Sequence, residues 1–437
     1  MSLRIVLTAA LALMLAALPA QAATEVVLWH AMPGKLGEWL DELTQGFNKR
    51  QSDYKVVAQY KGNYRDTMQA ALDAYAGKRA PHMVQVFEVG TATMMAAKGV
   101  IKPVHEVMSQ AGLAFDAKDY LPAVTLYYSS LDGKLLSLPL NASTPVLFYN
   151  KRAFRQAGLD PNQAPKTWPE VEDASRALLK AGFSCGFTTQ WQSWIQLENL
   201  SARHDMPFAT KQNGIGGYDI ELKFNSPFHI HHIQKLADWS KDRIFVYAGR
   251  RDEALGKFVA GECPMLFATS ASYGEVSGNA SLDFSIAMLP YWPDIRWAPR
   301  NSIIGGATLW VMEGHQPEEY RGIAKFFEYL SSPAIQAASH QRTGYLPITR
   351  AAYSLSRRQG FYETNPDTET AIKQITLHWP TEHSRGVRLG NFVQIRDVID
   401  EELEAVWAGR KGAKSALDDA VRRGNEILKA FTRDNGK

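Results

Sequence analysis

The chain has 437 residues, with 48 Lys plus Arg against 45 Asp plus Glu, a formal excess of +3. No block of five like charges occurs, which argues against nucleic acid or an anionic membrane as the main partner. Its two cysteines, Cys185 and Cys263, are too few for a disulfide scaffold and are not spaced as a zinc knuckle. Whether they pair or lie buried as thiols is open at this level.

The first segment reads as a secretory leader. Arg4 gives a basic start, Ile5 to Pro19 is an apolar run too short to span a bilayer, and Ala20-Gln21-Ala22 is a small-x-small cleavage site. The mature protein is expected to begin near Ala23, with no cysteine there to take a lipid. At roughly 100 to 200 residues per domain, the remainder holds two or three domains.

Glu25 to His30 reads as a strand, Trp39, Leu40, Leu43 and Phe47 recur at helical spacing, and Tyr54 to Tyr60 alternates as a second strand. A helix over Tyr64 to Tyr75, an apolar strand over Met83 to Phe87 and a helix over Thr91 to Ala97 follow. Such alternation predicts a mainly parallel sheet flanked by helices. A second α/β region is expected after Val146 to Tyr149, with Thr167 as N-cap of a helix that carries a proline just inside. Pro264 to Phe267, Phe284 to Leu289 and Ile303 to Met312 read as further strands, the last interrupted by Gly305-Gly306, and the rest as predominantly helical. No repeat or low-complexity linker appears, so the domains are expected to share several crossovers.

Several predicted loops and strand ends combine glycine, hydroxyls and aromatics, where ligands bind in open α/β sheets. They are Gly62-Asn63-Tyr64, Phe87 to Thr91, Asn141 to Pro145, Trp191 to Trp194, Thr269-Ser270, Ile304 to Ala307 and Thr343 to Pro347. Other readings stand beside a ligand role. Glu88 suits a helix cap, Trp191 and Trp194 one buried helix face, and Arg396 a surface pair with Asp397, Asp400 or Glu401. Gly305-Gly306 suits a β-bulge, Ser143 a turn, and Tyr64 or Tyr345 the core. His229, His231 and His232 lack a neighbouring carboxylate or cysteine and read as an exposed strand or helix start. Asp400, Glu401, Glu402 and Glu404 read as a solvated helix face.

Tyr149-Asn150-Lys151, Ala157-Gly158-Leu159-Asp160 and Pro165-Lys166-Thr167-Trp168 resemble the signature of extracellular solute-binding proteins of ABC importers. Within that family, the runs Tyr60 to Tyr64, Glu88 to Met95, Trp194 to Asn199, Gly344 to Thr349 and Arg388 to Asn391 are similar to the members that take up glycerol 3-phosphate. The resemblance extends from about Val27 to Phe431.

It implies an α/β bilobal periplasmic-binding-protein fold, two lobes joined by crossover hinges with ligand between them. The leader would be 1–22, the first lobe 23–142 and 302–350, and the second 143–301 and 351–437. It implies a periplasmic, monomeric receptor, not an enzyme and without cofactor or metal, that hands glycerol 3-phosphate or a diester such as glycerophosphocholine to importer membrane subunits. Residue by residue it assigns Tyr64 and Glu88 to glycerol hydroxyls and Trp191 and Trp194 to the cleft wall. Ser143, Gly306, Tyr345 and Arg396 match the remaining contacts, several on phosphate. At the second serine site the chain reads Ala268-Thr269-Ser270, so the hydroxyl comes from Thr269 or Ser270. Since a carboxylate repels phosphate, Glu88 is expected at the end of the cleft opposite Arg396. The competing readings are an exported hydrolase acting on sugars or phosphodiesters and a neutral-sugar or polyol receptor.

Overall fold

The computed structural model describes residues 22–436. The leader and nearly all of its cleavage motif lie outside the described residues.

Two sheets organise the chain. The first contains β1 (Thr24–His30), β2 (Tyr54–Tyr60), β3 (Met83–Phe87), β4 (Ile101–Lys102), β5 (Leu138–Ser143) and, from much later in the chain, β10 (Gly305–Met312). The second contains β6 (Pro145–Asn150), β7 (Phe187–Thr189), β8 (Met265–Thr269) and β9 (Phe284–Ala287), in the order β7-β8-β6-β9. All five residues of β3 are buried, as expected of a strand in the middle of a sheet covered on both faces.

Local patterns are reproduced closely. The predicted first helix is Gly34–Asn48, burying Trp39, Leu40, Leu43 and Phe47 on one stripe. Tyr64–Ala76 starts at Asn63, whose side chain accepts from the Asp66 N–H. Thr167 caps Trp168–Lys180 in a reciprocal box with Glu170.

The expectation of a mainly parallel sheet is corrected. β1 pairs parallel with β2 and β3, but β10 runs antiparallel to β3, β4 and β5. In the second sheet β7 and β8 are parallel, whereas β6 is antiparallel to β8 and β9. The cause is the path of the chain. Strands β1, β3, β5, β7, β8 and β9 finish on the side where the sheets face each other, while β6 and β10 start there, having just crossed over. The first crossing is Thr144 alone, one residue beyond the expected break, because β5 runs through Ser143.

The crossovers are tied together. Thr144 Oγ1 donates to Ser302 Oγ (2.6 Å), and Gln374 Nε2, fully buried, donates to Pro145 O (2.7 Å) and Ser302 Oγ (3.0 Å). Cys185 and Cys263 form a disulfide, their Cα atoms 4.9 Å apart. Among the described residues no helix is long and apolar enough to cross a membrane.

Two side readings also change. His229 and His232 are in a helix start, Pro227–Lys241, but are buried rather than exposed. His229 meets the hydroxyls of Ser201 (2.8 Å) and Ser226 (2.7 Å), while His232 accepts from Trp292 Nε1 (3.2 Å) and meets Gln196 Oε1 (3.1 Å). Burial pushes both rings well below the usual histidine range. Asp400 and Glu402 likewise face inward, and only Glu401 and Glu404 keep substantial access to water.

Candidate functional site

The strand ends that meet between the sheets carry the predicted residues. Tyr64 opens the helix after β2, and its ring stacks on Phe87 with centroids 5.0 Å apart and planes 1° from parallel. Glu88 follows β3 in a 3₁₀ turn, Ser143 ends β5, and Gly305 is its partner across the ladder on β10. Ser270 follows β8, and its N–H donates to Thr144 O (2.9 Å), which sets it beside the first crossing.

Arg396, on the Phe392–Trp407 helix, is placed differently from expectation. Its Nη2 donates to Glu88 Oε1 (2.9 Å) and to Glu198 Oε2 (2.8 Å), and Nε donates to Glu198 Oε1 (2.7 Å). Glu88 and Arg396 therefore share one end of the site instead of marking opposite ends. Nor does Arg396 pair on the surface with Asp397, which instead meets Arg65 at 2.6 Å. The physical reason is burial. Arg396, Glu88 and Glu198 are 7, 6 and 2% exposed, and a guanidinium removed from water requires carboxylates of its own. Burial opposes the charge on Arg396, yet the two carboxylates overcome it and hold its proton more tightly than water does. Burial pushes the Glu88 carboxyl up, Arg396 pulls against this, and Glu198 adds to it.

Glu198 was missed by the sequence reading. Its signal was local, since it sits in an otherwise apolar and amide run, Trp194 to Asn199, that winds as a π-helix. Such wide turns are frequent at functional sites because they re-aim side chains within a helix.

The two tryptophans expected to wall the cleft have their own supports. Trp191 adopts φ +41°, a left-handed conformation rare for a bulky residue, and its Nε1 donates to Asp252 Oδ1 (2.8 Å). Burial raises the Asp252 carboxyl, and the Trp191 bond opposes that. Trp194 is buried with its Nε1 lacking a partner. Its ring fills the place where Gly305 would carry a Cβ, 2.6 Å from Cζ2.

Gly306 adopts φ +110°, and a Cβ there would lie 2.2 Å from Asn141 O. Gly306→Ala is therefore expected to cost about 1 to 3 kcal/mol, the scale of a strained backbone conformation. Urea melts would check it, and an unchanged midpoint would show that β10 shifts freely.

Tyr345 is buried, its hydroxyl 3.7 Å from Met32 Sδ. Thr269 and Ser270 divide their roles. Thr269 Oγ1 accepts from the Ala271 N–H (3.3 Å) and closes a turn, whereas Ser270 Oγ is buried without a partner.

One group has metal-ligand composition. His82, His315 and Glu319 present ligand atoms within 4.8 Å of one another, at the opposite end of β3 from Glu88. The Val27 N–H donates to His82 Nδ1 (3.0 Å), so the neutral ring carries its proton on Nε2, the nitrogen that faces Glu319. That proton occupies the direction a metal would need.

Two sheets joined by crossovers, with aromatics and buried unpartnered donors near the strand ends, define the bilobal architecture of a binding protein. Residues 42–370 match the family described as bacterial extracellular solute-binding protein, and the chain belongs to that family. It is 50% identical over 413 residues to the sn-glycerol-3-phosphate-binding periplasmic protein UgpB of Escherichia coli (strain K12), covering 94% of each. It is 49% identical over 417 residues to the protein of the same name from Yersinia pseudotuberculosis, covering 95% of each. Among solved structures it is similar to UgpB from Mycobacterium tuberculosis in complex with glycerophosphocholine, with a TM-score of 0.77, 22% identity and coverage of 94% of this chain and 99% of that one.

Proposed function

We propose that this chain is a periplasmic receptor that captures glycerol 3-phosphate, and diesters such as glycerophosphocholine, and delivers them to the membrane subunits of an ABC importer. The observation that carries the reading is the identity of about half the residues, over nearly the whole chain, with relatives named for that ligand. The lobes divide as 23–143 with 302–350 and 145–301 with 351–437, joined first through Thr144, and the receptor works as a monomer. Ligand favours the closed arrangement by touching both lobes.

The ten residues Tyr64, Glu88, Ser143, Trp191, Trp194, Thr269, Ser270, Gly306, Tyr345 and Arg396 form or frame the site. Of the two candidates at the end of β8, Ser270 supplies the hydroxyl, because it is buried with no partner while the Thr269 oxygen is held as acceptor in a turn. Glu88 and Arg396 act together, an acceptor and a donor side by side, and read the glycerol hydroxyls. The phosphate lies toward Ser143, Ser270 and the backbone at Gly306, where neutral donors meet its oxygens away from the carboxylates. The chain performs no chemistry on the ligand.

A thermal-shift panel of glycerol 3-phosphate, glycerophosphocholine, glycerol, phosphate and maltose tests the reading. A true ligand at 100 times its dissociation constant stabilises by about 2.7 kcal/mol. The two phosphorylated glycerols are expected to raise the melting temperature most, and mass spectrometry is expected to recover them unaltered. A response to maltose alone would replace the reading with a sugar receptor, and an altered ligand with an enzyme.

A further inference from the structure

We propose that Asn141 is a hydrogen-bond donor to the captured ligand, its amide fixed in one orientation by a relay through Gln85; this rests on the reading of the site given above. Asn141 lies on β5, 2% exposed, next to the crossover residues. A carboxamide alone can point either its oxygen or its nitrogen in a given direction, so its orientation has to come from its partners. Here the partners leave one answer. The Ala31 backbone N–H can only donate, and it donates to Gln85 Oε1 (3.0 Å). That turns Gln85 Nε2 toward Asn141, where it donates to Oδ1 (3.0 Å). The Asn141 Nδ2 group, with two N–H bonds, is thereby directed away from Gln85. It is buried and has no hydrogen-bond partner.

The surroundings of Nδ2 identify what it awaits. Burial pushes the phenols of Tyr64 and Tyr345 above their usual range, and the Asn141 amide acts on both against that push, although neither phenol makes a well-formed hydrogen bond to Nδ2. Gln85 is wholly buried in the middle of β3, so the relay runs from the backbone of the first lobe to the cleft without touching water. A buried donor held in this way, without a hydrogen bond of its own, suits an acceptor oxygen of the ligand, hydroxyl or phosphoryl. Preorientation also means that no rotamer freedom is lost when the ligand arrives.

Calorimetric titration of glycerol 3-phosphate into wild type, Asn141→Ala, Gln85→Glu and the double variant tests the assignment. Asn141→Ala is expected to weaken binding about 10- to 100-fold, the range for a hydrogen bond to a charged or strongly accepting group. Gln85→Glu keeps the acceptor for Ala31 but replaces the donor facing Asn141. The amide must then reverse and present Oδ1 to the ligand, so a loss of similar size is expected although Gln85 does not contact the ligand. In the double variant, with no amide to reverse, the Gln85→Glu change is expected to add nothing. A filler of space would show the opposite pattern, lower melting temperatures with unchanged affinity. In the wild-type protein, the ¹⁵N-labelled side-chain NH₂ resonance of Asn141 is expected to shift on titration, a readout that does not depend on any variant folding. Equal affinities, or a resonance that does not move while ligand binds, would overturn the assignment alone. A wild type that fails to bind glycerol 3-phosphate would overturn the functional reading and the assignment with it.

Discussion

Arg396→Met is expected to destabilise the protein by about 3 to 5 kcal/mol, the cost of removing one partner from a buried ionic group. Methionine fills much of the same volume, so the loss is chiefly electrostatic. Glu88 and Glu198 would remain in a dry pocket without the guanidinium that both accept from. The pH dependence has a definite sign. The Glu88 carboxyl is already raised by burial against the pull of Arg396, and removing Arg396 raises it further. A carboxyl raised in the folded state favours folding when protonated, and that contribution is lost as pH rises through its folded value. The deficit of the variant relative to wild type should therefore narrow as pH falls toward the ordinary glutamate value of about 4.3. Lysine at 396 should recover only part of the loss, because one ammonium cannot reproduce the forked contact with two carboxylates. Urea melts of the three proteins at several pH values check this. A deficit independent of pH would mean that the loss is one of packing.

The same triad shows where sequence reading stops. The strands and helices were legible because their signals are local: the stripe of Trp39, Leu40, Leu43 and Phe47, the alternation of Tyr54 to Tyr60, and the Thr167 cap with Glu170 three residues on. The candidate site positions were read as glycine and hydroxyl clusters at predicted strand ends, and the family resemblance selected among them. Partners distant in sequence were not legible. Arg396 is 198 residues from Glu198 and 308 from Glu88, and no periodicity reports a contact at that range. Its visible neighbours Asp397, Asp400 and Glu401 suggested a surface pair because they adjoin it in sequence. The antiparallel sense of β10 escaped for a related reason. Strand direction depends on which lobe the chain has just left, which the composition of Gly305 to Met312 does not record. Buried His229 and His232 were misjudged because Ser201, Gln196 and Trp292, which satisfy them, come from other segments.

Replacing both cysteines by alanine is expected to cost on the order of 4 kcal/mol. The cross-link closes a segment with a sequence separation of 78, and loop-closure entropy for that length comes to about 4.5 kcal/mol in the chain-entropy model, from which any strain in the folded state subtracts. The position of the bond says what that stability holds. Cys185 lies two residues before Phe187 and Cys263 two before Met265, and Phe187 and Met265 are register partners in the parallel β7–β8 pair. The disulfide thus pins the register at the start of two strands whose far ends lead to Trp191 and to Ser270. Between the cysteines the chain also carries Trp191, Trp194, Glu198 and Asp252, so both tryptophans and the second carboxylate of the triad belong to one closed loop. Both cysteines are buried and alanine introduces no polar group there, so the effect should act on the unfolded chain more than on the folded site. The expected result is a large drop in the urea midpoint with ligand affinity nearly retained at temperatures where the variant is folded. Wild type melted in the presence of a strong reductant should approach the variant. If stability were unchanged by both treatments, the strands would hold their register without the bond; if affinity fell in step with stability, the bond would be shaping the folded site itself.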